Sequence, residues 1–144
     1  MKVKVKEITI WRGEFDDRPG KLAEILAPLA DAGADLSVVM GYKYPAKAGK
    51  AAFEVYPING RKEKKAAKSA GLTEATLPAL LVEGADRAGL GYDIARAIAD
   101  RGIDMTFLVT QVIGRKYSAI FGFETKDGMR VAAAAIKRAS SKKR

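Results

Sequence analysis

The feature that most constrains this chain is a stretch of sequence that occurs twice. The segment DRPGKLAEILAPLADAGADL begins at Asp17, and its counterpart DRAGLGYDIARAIADRGIDM begins at Asp86, with no gap between the two. Identical residues recur through the whole stretch, up to Asp35 and Asp104. We interpret the chain as a duplicated module, and we predict domains at residues 1–74 and 75–144. Domains this small bury little of their surface, so we expect the two copies to share an interface within the chain or with a partner.

Hydrophobic periodicity predicts how the first copy begins. Apolar and charged residues alternate over residues 2–11, which predicts one half-buried strand with a bulge at Lys6–Glu7. A polar turn at residues 13–18 then leads to Pro19, which suits the first helical position. The helix carries an apolar stripe formed by Leu22, Ile25, Leu26 and Leu29. It should end at Gly33. Pro28 inside it should bend the axis without breaking the helix.

The remaining segments give both copies the same order of elements. Apolar runs predict the other strands of the first copy at 36–44 and 51–58, and Asn59 can cap a helix at 60–70. The second copy has a strand at 77–83, a helix at 88–101, a hairpin that turns at Gly114–Arg115 and a last helix at 128–139. Strand, helix, strand, strand, helix is the order of a split βαβ unit. We therefore predict an α+β fold of two ferredoxin-like βαββαβ units in tandem, with antiparallel sheets and helices on one face.

A fourth strand is hard to find in either copy. Only residues 72–76 remain for it after the first copy, and only SSKKR remains after the second. Three solutions stay open for the second unit. The N-terminal strand completes its sheet, a strand of a partner chain does so, or the unit has three strands.

The composition excludes several classes of function. The chain contains no cysteine and no histidine, so it lacks thiol nucleophiles, the commonest metal ligand and the usual general base at neutral pH. We therefore expect no enzyme activity, no metal and no cofactor. The charged N-terminus lacks the apolar core of a signal peptide, and no apolar run is long enough to cross a bilayer. We expect a cytoplasmic protein with no membrane partner.

The repeated stretch also carries a resemblance to a known family. Its pattern D-R-P-G-x-L-x-x-I-x-x-x-L-x-x-x-G-x-x-L, starting at Asp17, resembles the ACT domain, a small ligand-binding module of amino-acid metabolism. The resemblance extends over residues 5–72 and 77–140. It implies that two units pair side by side in one continuous sheet. It also implies that a small molecule, commonly an amino acid, binds at the joint between units near the strand–helix turn.

The chain departs from that pattern at four positions. Asp35 and Asp104 occupy the start of the second strand, where many members have asparagine. Ala88 replaces the proline in the second copy, and Gly91 stands where the first copy has Leu22. These departures bear on how equivalent the two copies are as binding sites.

The strand–helix turn has the chemistry to hold an amino acid. A glycine there, Gly20 or Gly89, lets a ligand approach the backbone. The first helical turn offers unsatisfied N–H groups and a partial positive charge, which together bind a carboxylate. An upstream aspartate, Asp17 or Asp86, can take the ammonium group. The alternative is that each aspartate only caps its helix and each glycine only makes a tight turn.

We expect the second copy to be the better binding site. Gly91 opens the inner stripe of its helix, which Leu22 fills in the first copy, although Tyr92 or the neighbouring unit could fill the opening instead. Asp35 and Asp104 could contact a ligand, but a solvated turn carboxylate is the alternative that we favour. The candidate ligand-binding residues are Asp86, Gly89, Leu90, Gly91, Asp17, Gly20, Lys21, Leu22, Asp35 and Asp104.

The function that best fits these features is regulatory binding of an amino acid, coupled to assembly or to docking on an enzyme. A homodimer that continues the sheet is expected, because exposed sheet edges are usually paired. The alternative function is nucleic-acid binding by the basic runs at residues 61–68 and 137–144, with aromatic side chains of the sheet as a stacking platform. We expect nucleic acid less than a small molecule, because basic runs are most often solvated helix faces.

Overall fold

The computed structural model describes residues 3–44 and 46–142. It divides into two compact units, one formed by residues 9–75 and the other by residues 76–142 together with 3–8. In chain order the elements are β1 (Lys4–Ile8), β2 (Trp11–Asp16), α1 (Lys21–Asp31), β3 (Val38–Lys43), β4 (Lys50–Tyr56), α2 (Gly60–Ser69), β5 (Thr73–Glu74), β6 (Ala79–Ala85), α3 (Leu90–Asp100), β7 (Phe107–Ile113), β8 (Lys116–Gly122) and α4 (Lys126–Ser140). Among the described residues, no helix is long and apolar enough to span a membrane.

The unit of residues 9–75 is a four-stranded antiparallel sheet in the order β3-β4-β2-β5, with helices α1 and α2. The two-residue strand β5 supplies the fourth strand, with Trp11 opposite Glu74. The buried core of this unit comprises Trp11, Ile25, Leu29, Val55, Ile58, Ala67 and Leu72. Leu26 packs against this core, so the predicted stripe of α1 faces inward.

The other unit has the same arrangement, with the sheet order β1-β6-β8-β7. The N-terminal strand therefore completes the second sheet, which was one of the three solutions left open by the sequence. Strand β1 pairs antiparallel with β6, from Lys4 opposite Glu83 to Ile8 opposite Ala79. The hairpin of β7 and β8 turns at Gly114–Arg115 as predicted. The buried core of this second unit includes Val3, Leu80, Ile94, Phe121 and Ile136.

Both units are thus built as ferredoxin-like βαββαβ modules in tandem, and the predicted fold class is confirmed. The domain division differs from the predicted 1–74 and 75–144 in one respect. Residues 3–8 belong with the C-terminal unit, and the other boundary lies between residues 75 and 76. The physical reason is that β1 forms its backbone hydrogen bonds with β6. The local sequence pattern does not show which strand β1 pairs with.

The prediction of a single strand over residues 2–11 is wrong. The chain leaves one sheet after Ile8 and enters the other at Trp11, and β1 pairs without a bulge at Lys6–Glu7. The predicted polar turn at residues 13–18 is also wrong in its first half, because β2 continues to Asp16. Alternating polarity reports only that one face of a strand is buried, so it could not reveal a change of sheet.

Helix α1 differs slightly from the prediction. Its N-cap is Gly20, so Pro19 lies just before the cap rather than at the first helical position. The helix continues through Pro28 without a break, and Gly33 follows its end with a positive φ of 81°, as expected for a residue past a helix C-terminus.

Candidate ligand site at two helix mouths

The first helix of each unit begins in the same way. We call residues 17–24 the first helix mouth and residues 86–93 the second. The N-cap residues are Gly20, with φ of 86°, and Gly89, with φ of 81°. This left-handed conformation is costly for residues with a Cβ, which explains why glycine recurs in the repeat. A Cβ at Gly20 would have nothing within 4 Å, so the backbone angle rather than crowding requires glycine there.

At each helix mouth, an arginine forms an ion pair with an acidic residue of the first helical turn, and we call this ion pair the arginine bracket. At the first mouth, Arg18 Nη2 donates to both carboxylate oxygens of Glu24, at 2.7 and 2.6 Å. At the second mouth, Arg87 Nη1 donates to Asp93 Oδ2 at 2.8 Å, and Arg87 Nη2 approaches the Ala139 carbonyl oxygen at 3.5 Å. Neither the Arg18–Glu24 pair nor the Arg87–Asp93 pair was predicted from the sequence. The signal was present, because Glu24 and Asp93 occupy matching positions of the repeat, each six residues after the repeated arginine.

The first helical turns retain donor groups that a carboxylate can use. The Lys21 and Leu90 N–H groups donate to the carbonyl oxygens of Arg18 and Arg87, at 3.3 and 3.2 Å. Within the described chain, the N–H groups of Leu22, Ala23 and Gly91 donate to no backbone or side-chain acceptor. Such orphan donors, with the positive end of the helix dipole, are the usual setting for anion binding at a helix N-terminus.

Neither repeated aspartate caps its helix. Neither N-cap glycine has a side chain to cap with, and no side-chain hydrogen bond from Asp17 or Asp86 reaches the helix among the described residues. Instead, Asp17 Oδ2 lies 3.1 Å from Lys43 Nζ. Asp86 is exposed and forms no ion pair with any described residue. The position that matches Lys43 in the second copy is occupied by Val112. The carboxylate at the second mouth is therefore the one left uncompensated.

The predicted hollow at Gly91 is not formed as expected. Leu90, not residue 91, begins the buried stripe of α3, and its side chain is only 2 % exposed. Gly91 is exposed, and a Cβ there would meet nothing within 4 Å. Relative to the first copy, the leucine has moved back by one position, which rotates it into the core. Gly91 thus leaves an open backbone at the surface of the mouth rather than a cavity inside it.

In the first copy, Lys21 and Leu22 occupy the positions of Leu90 and Gly91, and their side chains make different contacts. Lys21 Nζ lies 5.4 Å from the centre of the Phe15 ring and 3.5 Å from Glu24 Oε2. Leu22 is half-buried. The first mouth is thus covered by side chains that the second mouth lacks.

The structure does not bring Asp35 and Asp104 to the mouth of their own unit. Both residues follow the C-terminal end of the helix that starts at the mouth. Each helix has 11 residues and is therefore about 16 Å long. Both side chains are exposed, and Asp104 Oδ1 accepts a hydrogen bond from the Met105 N–H at 2.9 Å. This placement fits the solvated turn carboxylate that we favoured over ligand contact.

Four aromatic residues on or next to the sheets were the candidates for nucleic-acid stacking, and two of them, Tyr42 and Tyr44, stack on each other with ring centroids 6.3 Å apart, Tyr42 being 44 % exposed. Tyr117 and Phe121 are 4 % and 1 % exposed and belong to the core. Tyr42 donates a hydrogen bond to Glu54 Oε2 at 2.7 Å, and Glu54 is only 5 % exposed. Burial and this hydrogen bond raise the pKa of the Tyr42 phenol. Among the described residues, no group of three acidic side chains could hold a metal ion.

No family model and no curated protein matches this sequence. Several solved structures have a similar fold. A protein from Bacteroides thetaiotaomicron aligns with a TM-score of 0.71 and 13% identity, covering 88% of this chain and 87% of its own. The regulatory subunit of aspartate kinase from Thermus thermophilus aligns with a TM-score of 0.65 and 15% identity, covering 96% of this chain and 97% of its own.

A complete enzyme also contains this arrangement. Clostridium acetobutylicum aspartate kinase aligns with a TM-score of 0.61 and 14% identity, and the match covers 96% of this chain but 34% of the enzyme. Identities this low establish the fold alone. The chain therefore has the fold of a tandem pair of ACT-type units, as its repeated sequence led us to expect.

Proposed function

We propose that this protein is a regulatory, non-catalytic protein that binds an amino acid at its second helix mouth. Two observations at the second helix mouth carry the proposal: the exposed carboxylate of Asp86 has no ion-pair partner in the described chain, and the N–H of Gly91 is unpaired there. An ammonium group would neutralise Asp86, and a carboxylate would accept from the first turn of α3. A single amino acid carries both of these groups.

The first helix mouth is the weaker candidate. Its aspartate already has Lys43 at 3.1 Å, and Lys21 lies over the Phe15 ring beside it. A ligand ammonium would have to displace Lys43 before it could bind Asp17. We therefore assign ligand recognition to Asp86, Gly89 and Gly91 and a structural role to the first copy.

Regulation would arise through assembly. Strands β3 and β7 each have one neighbour in their sheets, so each presents an edge. The β7 edge carries exposed apolar side chains, namely Leu108, Val109, Val112 and Ile113. Exposed edges of this kind are usually paired, and we propose a homodimer that uses β7 or docking of this edge on a partner enzyme. Ligand that binds one assembly state more tightly shifts the equilibrium towards it.

The binding step is testable by thermal unfolding with a panel of the twenty amino acids. Ligand at about 100 times its dissociation constant should add roughly 2.7 kcal/mol of stability. Asp86→Asn should remove the shift for the amino acid that gives it, whereas the matched variant Asp17→Asn should retain it. Absence of a shift with every amino acid would contradict the proposal, and equal loss in both variants would contradict the choice of the second mouth.

A further inference from the structure

Helix α2 carries an unusual row of cations. The row begins at Arg61 and continues three, four and seven residues later with Lys64, Lys65 and Lys68. This spacing places the four side chains on one face of the helix. All four are exposed. Together with Gly60 and Ser69 they line an open groove along the helix. We call these four residues the α2 basic stripe.

The stripe has no acidic counterpart in the described chain. None of its four cations forms an ion pair there, and the acid in the same helix, Glu63, accepts a hydrogen bond from the Asn59 N–H at 3.0 Å. Other lysines of this unit are compensated, with Lys43, Lys47 and Lys50 within 4 Å of Asp17, Glu14 and Asp16. The uncompensated positive charge of the unit is thus concentrated on α2.

The duplicated unit shows that the fold does not require this charge. Counted from their N-caps, Asn59 and Thr125, the positions of the stripe correspond in α4 to Asp127, Arg130, Val131 and Ala134. Helix α4 occupies the same place in its unit with one cation and one acid on that face. Like charges one turn apart destabilise a helix, so the stripe lowers the stability of α2. An anionic ligand would neutralise these charges and offset that loss of stability.

The composition of the stripe selects the kind of anion. Protein interfaces are enriched in aromatic side chains and depleted in lysine, and this groove contains three lysines and no apolar side chain. Membrane-surface helices need an exposed apolar face, but Ala66, Ala67 and Ala70 of α2 pack in or against the core. From Arg61 to Lys68 the helix rises about 10 Å, which equals the axial rise of about three base pairs of a duplex at 3.4 Å each.

We propose that the α2 basic stripe binds the phosphate backbone of nucleic acid without reading its sequence. This goes beyond amino-acid binding and uses a different element of the fold. Lysine and arginine bind phosphates chiefly through charge, so the expected affinity is modest and strongly salt-dependent. Helix α2 itself carries no aromatic side chain, and the exposed Tyr42 lies on β3, which favours contacts of the stripe to the backbone rather than to bases.

The test uses the full chain with fluorescein-labelled 20-nucleotide single strands and duplexes, measured by anisotropy from 50 to 200 mM salt. The stripe variant replaces Arg61, Lys64, Lys65 and Lys68 with glutamine, which is a good helix former. The control variant replaces three exposed lysines and one exposed arginine outside both basic runs with glutamine, namely Lys4, Lys6, Lys126 and Arg101, so that both variants lose the same charge. Circular dichroism melts establish that both variants fold.

The stripe variant should bind at least about tenfold more weakly than the control at 50 mM salt. Its slope of log affinity against log salt should be shallower by roughly 2 to 3, because each phosphate contact contributes about 0.7 to 0.9. Equal weakening in both variants, or no binding by the wild type at 50 mM salt, overturns the proposal. Tighter binding to poly-L-glutamate or to vesicles with 30% phosphatidylserine than to oligonucleotides would also overturn it. Amino-acid binding should be unchanged in the stripe variant, which separates this proposal from the previous one.

Discussion

The carboxylate of Asp17 lies 3.1 Å from the ammonium group of Lys43, and among the described residues this ion pair has no equivalent at Asp86. Lys43 is the last residue of β3, and the matching residue of β7 is Val112. One side chain on β3, which β4 separates from β2 in the sheet, thus decides whether the repeated aspartate is already neutralised. The two helix mouths share a backbone conformation but differ in the charge that they offer to a ligand.

This difference can be moved between the copies. Val112→Lys should place an ammonium group beside Asp86 and weaken amino-acid binding by up to about fivefold, since an exposed ion pair contributes up to about 1 kcal/mol. Lys43→Val should leave binding at the second mouth unchanged. Isothermal titration of both variants with the amino acid found in the thermal screen measures the effect. Unchanged affinity in Val112→Lys would show that Asp86 does not hold the ammonium.

Two neighbouring glycines of the second mouth should respond oppositely to alanine. Gly89→Ala should destabilise the protein by roughly 1 to 2 kcal/mol, because φ is 81° and a Cβ is disfavoured there. Gly91→Ala should be neutral or stabilise by about 0.4 to 1 kcal/mol, because it lies inside the first turn with open space around it. Urea unfolding of both variants compares them directly. A loss of stability in Gly91→Ala similar to that in Gly89→Ala would show that crowding, not backbone conformation, constrains the mouth.

The arginine bracket of the first mouth should be visible in acid titrations. The hydrogen bonds from Arg18 lower the pKa of the Glu24 carboxyl below its ordinary value of 4.5. Because the folded pKa is depressed, the bracket stabilises the protein above the unfolded pKa, and this contribution is lost as the pH falls through the folded pKa. NMR titration of Glu24 should therefore give a higher pKa in Arg18→Gln than in the wild type. Arg61→Gln, which changes a distant exposed arginine, is the control, and an unchanged pKa in Arg18→Gln would contradict the bracket.

The hydrogen bond between Tyr42 and Glu54 should be worth more than a surface contact. Tyr42→Phe leaves a carboxylate that is 5 % exposed without its phenol donor, which should cost about 1 to 3 kcal/mol. Glu54→Gln retains an acceptor and should cost less. A double-mutant cycle with both changes isolates their interaction energy. An interaction energy near zero would mean that the two groups are independently solvated.

The same hydrogen bond makes a prediction at high pH. Burial and the Glu54 carboxylate raise the pKa of the Tyr42 phenol above 10.0 in the folded protein. The stabilisation is therefore complete below the unfolded pKa and is lost as the pH rises through the folded pKa. Tyr42→Phe should abolish that part of the alkaline loss of stability, as measured by urea unfolding between pH 8 and 11.

The repeat predicted most of the fold, because it tied both units to one order of elements and marked the helix ends with glycine. It could not predict which sheet the N-terminal strand joins, because alternation describes one buried face and not the neighbouring strand. It also misplaced the first residue of the inner stripe of α3, although Ile94 and Ile98 are buried as predicted. A shift of one residue rotates a side chain by about 100°, so Leu90 turns into the core and Gly91 turns to the surface. Asp86 was predicted as a site residue, but its difference from Asp17 depends on Lys43, which is distant in sequence.

The N-terminal strand gives the sharpest prediction about the fold. Strand β1 is an edge of the C-terminal sheet, Val3 is 5 % exposed, and the Val3 N–H donates to Ser140 Oγ at 3.2 Å. Deleting residues 1–8 should therefore destabilise the C-terminal unit, although none of these residues belongs to its repeat. Hydrogen exchange should show faster exchange in β6 and β8, whereas β2 and β4 of the other unit should keep their protection.

A point variant and a fragment refine this prediction without relying on a truncated chain alone. A Cβ at Gly84 would lie 3.0 Å from Val3 Cα, so Gly84→Val should push β1 from β6 and reproduce the loss of protection. A fragment of residues 75–144 should fold poorly by itself, because it lacks the strand that covers the β6 edge, and a peptide of residues 1–10 should restore its folding. Full protection of β6 in the fragment without the peptide would show that the C-terminal unit is complete with three strands. In that case β1 would not be required for folding, and residues 75–144 alone would form the folding unit.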